Sequence, residues 1–251
     1  MGGGFLYEER DKNGAHFEEE FAMKRSRVND ILREAAGFIR SFGYAMPPFA
    51  DFTPQEMKAR LGEIGGIVNA RLGWDITDYG VGDFDNKGLF LFTVRNGDAD
   101  ALKEGRGMLY AEKIMISRKN QISPVHRHVV KAEDIINRGG GTLCIELYNA
   151  EPDGSVDKKN PVTVPTDGIL RTVEAGGVLR LSPGESVTLL PGVWHGFWGE
   201  GSDVLIGEVS TVNDDVTDNV FVEPIDRFSE IEEDEEPYRL LVSDYPKWLG
   251  V

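Results

Sequence analysis

The chain of 251 residues has a single cysteine and no apolar run long enough to cross a membrane. Cys144 has no partner within the chain, so disulfide bonds cannot stabilise the fold, and one buried thiol is typical of a reducing compartment. The first residues also lack the basic-then-apolar order of a signal peptide. We therefore expect a cytoplasmic protein that does not insert into membranes.

Basic residues are scarce relative to acidic ones, with 27 lysines and arginines against 43 aspartates and glutamates. The resulting net charge of −16 disfavours contact with nucleic acid, anionic lipid and phosphorylated substrates over most of the surface. We therefore expect a small, neutral substrate and no nucleic-acid or membrane partner.

Histidine is also scarce, and three of the four histidines fall in two short segments. His126 and His128 are two residues apart, so in a strand they point to the same face. Glu133 follows His128 at an odd spacing, which would put it on the opposite face of an unbroken strand. The chain must therefore bend near Val130 if Glu133 is to face the two histidines.

His195, the third of these histidines, follows a strand-like segment and a Pro191-Gly192 turn. Three imidazoles and one carboxylate suit a divalent ion, and Mn, Co, Fe, Ni and Zn are all compatible with this donor set. A structural zinc site fits less well, because such sites favour thiolates and a closed coordination sphere. On a six-coordinate ion the set leaves two positions open, which an α-hydroxy aldehyde or ketone can chelate. We predict that the metal ligands are His126, His128, Glu133 and His195.

The spacing of apolar residues predicts two helices before the metal motif. The first runs from Ser26 to Phe42, and the second starts at the capping sequence Thr53–Glu56 and ends at Leu72. After Trp74, short runs of β-formers are separated by turn residues, which favours a jelly roll or a related barrel. The predicted strands are 89–94, 109–117, 125–130, 142–148, 162–164, 170–174, 178–181, 186–190, 195–198 and 204–210. We predict one domain over residues 23–251, preceded by an extension, residues 1–22.

Glu208 lies in the apolar run Val204–Ser210, and strand parity puts it on the same face as Val204 and Ile206. On a core-facing strand its carboxylate would be buried and would suit a general base. The alternative is an outward-facing glutamate, which is the commoner position for this residue type.

Two lysines and two aromatic residues are further candidates for the site. Lys131 lies inside the metal motif and Lys113 interrupts an apolar run, so that either can hold a sugar hydroxyl if it points inward. Trp194 and Phe197 flank His195 and can wall a pocket or stack on a sugar ring, although core packing explains such aromatics equally well.

The pattern His-x-His-x4-Glu, followed by Gly139–Gly141 and a later Pro-Gly-x-x-His, resembles the paired motifs of the cupin superfamily. From about Met23 onward the chain resembles the cupin-fold D-lyxose isomerases, and less closely the related L-ribose isomerases. The residues that carry this resemblance are His126, His128, Lys131, Glu133, His195 and the segment 207–215. The resemblance implies an all-β cupin jelly-roll barrel with the two N-terminal helices packed on it, and a homodimer.

The resemblance also implies roles for these residues. The four predicted ligands would hold a divalent metal, usually Mn²⁺, Glu208 would act on the substrate proton, and Lys131 would contact the sugar. Asp215, in the same matching segment, is a further candidate for substrate binding, together with Lys113, Trp194 and Phe197.

The implied activity is interconversion of D-lyxose and D-xylulose, with D-mannose and D-fructose as slower partners. Proton transfer between C2 and C1 through a cis-enediol is the expected route, and a metal-assisted hydride shift is the alternative. An L-ribose isomerase of the same fold is a second interpretation, because the motif residues are shared. A third is a cupin that binds a metal and a sugar or acid without turnover, or that acts as an iron dioxygenase.

Overall fold

The computed structural model of the protein describes residues 22–251. The predicted extension, residues 1–22, therefore lies outside the described residues except for Ala22, and so does His16. The strands among residues 22–251 are β1 (Met23–Lys24), β2 (Gly73–Thr77), β3 (Leu89–Arg95), β4 (Tyr110–Ser117), β5 (Ser123–His128), β6 (Glu133–Ala150), β7 (Val156–Asp157), β8 (Val162–Thr166), β9 (Ile169–Val173), β10 (Gly177–Leu181), β11 (Ser186–Leu189), β12 (Trp194–Thr211), β13 (Asn219–Phe221) and β14 (Ile231–Glu232). The α-helices are α1 (Arg25–Ser41), α2 (Pro54–Ala59), α3 (Gly65–Asn69), α4 (Ala99–Lys103) and α5 (Tyr245–Leu249), and short 3₁₀ turns cover Pro48–Asp51 and Val242–Asp244.

A ten-stranded sheet, in which the described neighbours are antiparallel, forms the body of the protein. Its main path is β10-β6-β12-β4-β3-β2, with β7 and β11 paired to β6, and with β5 paired to β12 and β13. The two longest strands, β6 and β12, pair with different neighbours along their lengths, and their mutual register shifts in two places. Such irregularities let a sheet curl around its own core. The predicted all-β barrel is confirmed, although the two strands predicted over 195–198 and 204–210 are one strand.

The glycine run Gly139–Gly141 lies where the register between β6 and β12 shifts. A side chain at Gly140 would place its Cβ 2.1 Å from the Asp203 carbonyl oxygen, and one at Gly141 would come within 2.4 Å of the Glu200 carbonyl oxygen. Gly140 also has a φ of +97°, which disfavours any residue with a side chain. These glycines are therefore required for the bend of the two long strands.

Helix α1 matches the predicted first helix closely and covers one face of the sheet. Its apolar positions Val28, Ile31 and Leu32 are fully buried in a cluster that also contains Phe90 and Phe92 of β3. The helix ends where Gly43 takes a left-handed conformation. A single apolar stripe at helical spacing thus suffices to dock this helix on the barrel.

The second predicted helix differs from the structure, because it is interrupted into α2 and α3. Its start is as predicted, since the Thr53 side chain and Glu56 form a reciprocal capping box. The glycines at 62, 65 and 66 weaken the middle of the segment. Met57 and Ile64 then pack with Tyr245 of α5 rather than forming one long face on the sheet. No helix among residues 22–251 combines the length and apolar character needed to cross a membrane.

A buried ion-pair cluster joins the start of α1 to the end of the chain. Arg25 is inaccessible to solvent and donates hydrogen bonds to both Glu233 and Asp244 at 2.7 to 2.9 Å. Hydrogen bonds from Arg25, and to a lesser extent from Lys247, lower the pKa of Glu233 to about 2. Removal of one partner of a buried ion pair leaves the other charge uncompensated.

We expect Arg25→Met to lower the free energy of unfolding by about 3 to 5 kcal/mol, because the buried Asp244 carboxylate would lose its partner. Chemical denaturation would measure this. Arg27→Met is the matched control, since Arg27 forms an exposed pair with Asp85 that should contribute about 0 to 1 kcal/mol. Equal effects of the Arg25→Met and Arg27→Met substitutions would contradict the structural role of Arg25.

The stabilisation from Glu233 is present above about pH 4.5 and is lost as the pH falls towards 2.

Candidate metal centre and active site

Three histidines on two neighbouring strands converge inside the barrel. His126 and His128 project from β5, and His195 on β12 lies opposite His126 in the strand pairing. Nitrogen atoms of the three rings all lie within 4.8 Å of one another. The structure therefore brings together the three histidines that the sequence motifs predicted as ligands.

Hydrogen bonds orient two of these imidazoles. His126 Nδ1 lies 2.9 Å from the Pro124 carbonyl oxygen, and His195 Nδ1 lies 3.1 Å from the Val193 carbonyl oxygen. A carbonyl can only accept, so Nδ1 carries a proton in both rings, and in the neutral tautomer that this fixes, Nε2 holds the lone pair that a metal needs. Burial is the main cause that lowers the pKa of His126 and of His128, and neighbouring cationic groups lower it further. The neutral forms, which can bind a metal, are therefore favoured.

Glu133 reaches the cluster because the chain turns between β5 and β6, as the spacing required. Its Oε1 atom lies 3.4 Å from His128 Nε2 and 3.1 Å from His195 Nε2. Burial alone would raise the pKa of Glu133, but Lys131 and His128 outweigh this and hold the pKa well below its usual range. The carboxylate is therefore available as a fourth donor.

Asp218 holds the turn that makes this convergence possible. Its Oδ1 atom accepts hydrogen bonds from the backbone N–H groups of Val129 and Val130, and Oδ2 accepts one from Lys131, at 2.8 to 2.9 Å. Three donors on one buried carboxylate fix the path of the chain between His128 and Glu133. Asp218 is not among the residues predicted for the site, and no local signal in the sequence reveals it because its partners lie almost ninety positions away.

The four converging side chains fit a divalent metal ion. Both ring nitrogens of His128 and the Glu133 Oε1 atom are buried without a hydrogen-bond partner among residues 22–251. Buried polar atoms are almost always paired, so His128 Nε2 and Glu133 Oε1, which lie 3.4 Å apart, call for a shared partner. Imidazole and carboxylate donors together are a common set for first-row divalent metals.

Ionisable side chains of alternating charge extend from this cluster through the interior of the barrel. We call them the charge row, and in order they are Glu133, Lys131, Glu208, Lys113, Asp215, Arg227 and Asp75. The successive nitrogen-to-oxygen distances are 2.7, 3.0, 3.9, 3.1, 3.4 and 3.1 Å. Each charge therefore has an opposite charge on either side, except at the ends of the row.

Glu208 lies near the middle of the charge row, on the inner face of β12. Its side chain is buried, with Lys131 Nζ at 3.0 Å and Lys113 Nζ at 3.9 Å. Burial alone would lower the pKa of Lys131, but the carboxylates of Glu133 and Glu208 outweigh it and raise the pKa, so that Lys131 stays protonated. The inward orientation that strand parity indicated for Glu208 is the observed one.

The charge row from Glu133 to Arg227 and the three histidines line a cavity of about 50 Å³. Phe197 contributes to its apolar wall, as predicted. Trp194 lies outside this cavity, with the Arg127 guanidinium 5.2 Å from the centre of its ring. Strand alternation accounts for this correction, because the neighbouring His195 points inward.

A larger cavity adjoins the first at Asp215, which lines both. This outer cavity has a volume of about 600 Å³, and Asp75, Asn213 and Phe228 are among its lining residues. The inner cavity has room for an ion and very few water molecules, whereas the outer one falls in the size range of small-molecule sites. Asp215 therefore lies on the boundary between the predicted metal site and the larger space.

Comparison with known proteins gives a consistent picture. The family model for D-lyxose isomerase matches residues 23–245. The D-lyxose/D-mannose isomerase of Serratia proteamaculans is 48% identical over 234 residues, covering 91% of this chain and all of that protein. Its counterpart from Escherichia coli O157:H7 is 45% identical over 228 residues, covering 89% and 98% of the two chains.

Solved structures confirm the cupin fold. The L-ribose isomerase of Acinetobacter sp. DL28 in complex with L-ribose superposes with a TM-score of 0.57 at 15% identity, covering 84% of this chain and 99% of that one. The ligand-free Cellulomonas parahominis L-ribose isomerase gives a TM-score of 0.53 at 16% identity, with the same coverage. These structures share the fold, and the sequence relatives supply the family: the chain belongs to the D-lyxose isomerase family and is an aldose–ketose isomerase.

Proposed function

We propose that the protein is a metal-dependent isomerase that interconverts D-lyxose and D-xylulose, and more slowly D-mannose and D-fructose. The observation that carries this proposal is the buried Glu208 carboxylate, held between Lys131 and Lys113 beside the histidine cluster. The names of the relatives, D-lyxose/D-mannose isomerases, support the choice of sugars. A neutral sugar also suits the acidic composition of the chain.

The metal would be held by His126, His128, Glu133 and His195, and Mn²⁺ is the proposed ion. When bound, it supplies a Lewis acid that polarises the carbonyl oxygen of the open-chain sugar. The hydrogen bonds from His126 and His195 to backbone carbonyls keep the ligand rings in one orientation, and Asp218 keeps Glu133 within reach of them.

Glu208 is the proposed general base. It would remove the proton from C2 of the aldose and return it to C1 on the same face of a cis-enediol. The hydroxyl proton passes from O2 to O1 in the same sequence, and the two transfers together convert the aldose into the ketose. Lys131, which stays protonated, would stabilise the negative charge that develops on the substrate oxygen. Lys113 and Asp215 would hold hydroxyl groups further along the sugar, and Phe197 would exclude water from one wall.

The assembly and location of the protein stay predictions. We propose a homodimer in the cytoplasm with no nucleic-acid or membrane partner, on the grounds given by the composition and the family resemblance.

Replacement of His126, His128 or His195 by asparagine should lower affinity for Mn²⁺ by orders of magnitude, because each change removes one of four protein donors. Elemental analysis after dialysis against a weak chelator would measure the bound metal. His16→Asn, which changes the fourth histidine, is the control and should retain the wild-type metal content. Stoichiometric metal in all three ligand variants would place the metal elsewhere.

Glu208→Gln should lower kcat by about 10²- to 10⁴-fold, the usual contribution of general-base catalysis. The change keeps the shape of the side chain but removes the basic carboxylate, so metal content and sugar binding should be retained. Steady-state kinetics and isothermal calorimetry would separate these effects. Glu200→Gln, at an exposed position of the same strand, is the matched control. Turnover near the wild-type value would rule out Glu208 as the base.

A panel of aldoses tests the choice of substrate. The enzyme loaded with Mn²⁺ should show a higher kcat/KM for D-lyxose than for D-mannose, and the value for L-ribose should be lower than both. Ketose formation can be followed by chromatography of the products. A higher kcat/KM for L-ribose than for D-lyxose would contradict the assignment and favour an L-ribose isomerase.

A further inference from the structure

Arg227 lies towards the far end of the charge row from the histidines, where it lines the inner cavity. Its Nη2 atom is 3.1 Å from Asp75 Oδ2 and 3.4 Å from Asp215 Oδ2. Its Nη1 atom is buried and has no hydrogen-bond partner among residues 22–251. A buried donor of a charged group that is left unpaired costs stability, so the Nη1–H group calls for a partner that residues 22–251 do not supply.

Arg25 provides a comparison within the same protein. It is also buried, but its Nε, Nη1 and Nη2 atoms all donate to the carboxylates of Glu233 and Asp244. That arginine is satisfied by the protein alone, as a structural residue should be. Arg227, in contrast, pairs through Nη2 with two carboxylates, and its Nη1–H group has no hydrogen-bond partner among residues 22–251.

Arg227 lies where the part of a sugar remote from the reacting carbons would bind. Between Glu208 and Arg227 the charge row contains Lys113 and Asp215, so the guanidinium is separated from the proposed base by two further side chains. Asp215 and Asp75, which contact Arg227, both line the outer cavity. A pentose is too large for an inner cavity of about 50 Å³, so its distal carbons must extend towards this boundary.

The charges around Arg227 define the chemical class of its ligand. With Asp75 and Asp215 already beside it, the guanidinium carries no excess positive charge for a phosphate or carboxylate. An uncharged hydroxyl oxygen, in contrast, can accept a hydrogen bond from Nη1 without repulsion from the two carboxylates. The site therefore selects an unphosphorylated polyhydroxy chain.

We propose that Arg227 is a substrate-binding residue whose Nη1–H group donates a hydrogen bond to a hydroxyl oxygen at C3, C4 or C5 of the open-chain sugar. This inference rests on the proposed function. Asp75 and Asp215 hold the guanidinium in place for this contact, and they exclude sugar phosphates from the same position.

Arg227→Met should raise KM for D-lyxose and lower kcat/KM by about 10- to 100-fold, the range for a hydrogen bond from a charged donor. The hydroxyl is remote from C1 and C2, so the contact contributes equally to the ground state and the transition state, and kcat should change little. Bound Mn²⁺ should be unchanged, because no metal ligand is touched. Arg171→Met is the matched control, since Arg171 pairs with Glu185 outside both cavities.

Deoxygenated substrates identify the contact. We would measure kcat/KM for D-lyxose analogues that lack the hydroxyl at C3, C4 or C5, with wild type and with Arg227→Met. The ratio of the two proteins on one analogue cancels differences in ring opening. For one analogue this ratio should fall to about 1, because the hydrogen bond is then absent from both proteins. A ratio that stays the same for D-lyxose and all three analogues would overturn the proposal.

Wild-type measurements keep the test decisive if the variant does not fold. One analogue should lose about 10- to 100-fold in kcat/KM on the wild-type enzyme, whereas wild-type kinetics with no such loss at C3, C4 or C5 would overturn the role of Arg227. The test also separates this inference from the proposed function. Absence of D-lyxose turnover by the wild type would refute the substrate assignment, and the same analogue series built on the preferred aldose would then test Arg227.

Discussion

The charge row is the arrangement on which the rest of the site depends. An ionised side chain in a protein interior is unstable unless an opposite charge lies beside it. Here the carboxylates and the cationic groups alternate, so that each inner member is stabilised from both sides. Loss of an inner member would remove one opposite charge from each of its two neighbours. The barrel interior can therefore hold the carboxylates of Glu133 and Glu208 and the side chains of Lys131 and Lys113 within a few ångströms of one another.

The fold supplies the geometry that this arrangement requires. Strands β5 and β12 place the three histidines opposite one another, and the sheet carries Glu208 and Lys113 on adjacent strands in register. The turn after His128 breaks the strand alternation and brings Glu133 to the same side. Asp218 lies outside the cavity and fixes that turn through three backbone hydrogen bonds. It therefore helps to set the position of Glu133 inside the cavity.

The two ends of the charge row carry different groups. At one end, three imidazoles and Glu133 offer donors for a metal, and next to them Glu208 lies beside protonated Lys131. At the other end, Arg227 and its carboxylates border the larger cavity. In the proposed reaction, chemistry at C1 and C2 belongs to the first end and recognition of the remaining hydroxyls to the second.

Local patterns in the sequence predicted the first helix, the barrel class and the set of three histidines and Glu133 that converges in the structure, because strand and helix periodicities act over a few residues. Strand parity indicated an inward Glu208, but residue statistics favoured an outward one, and only the structure decided between them. The same periodicity, applied to the neighbour of His195, would also have placed Trp194 outside the cavity. Only the tertiary structure decided the contacts of Asp218 and Arg227, whose partners lie far away along the chain. The interruption of the second helix has both causes, since the glycines at 62, 65 and 66 weaken it locally and Met57 and Ile64 pack with Tyr245. Contacts between distant segments depend on how the barrel closes, and no local pattern encodes that closure.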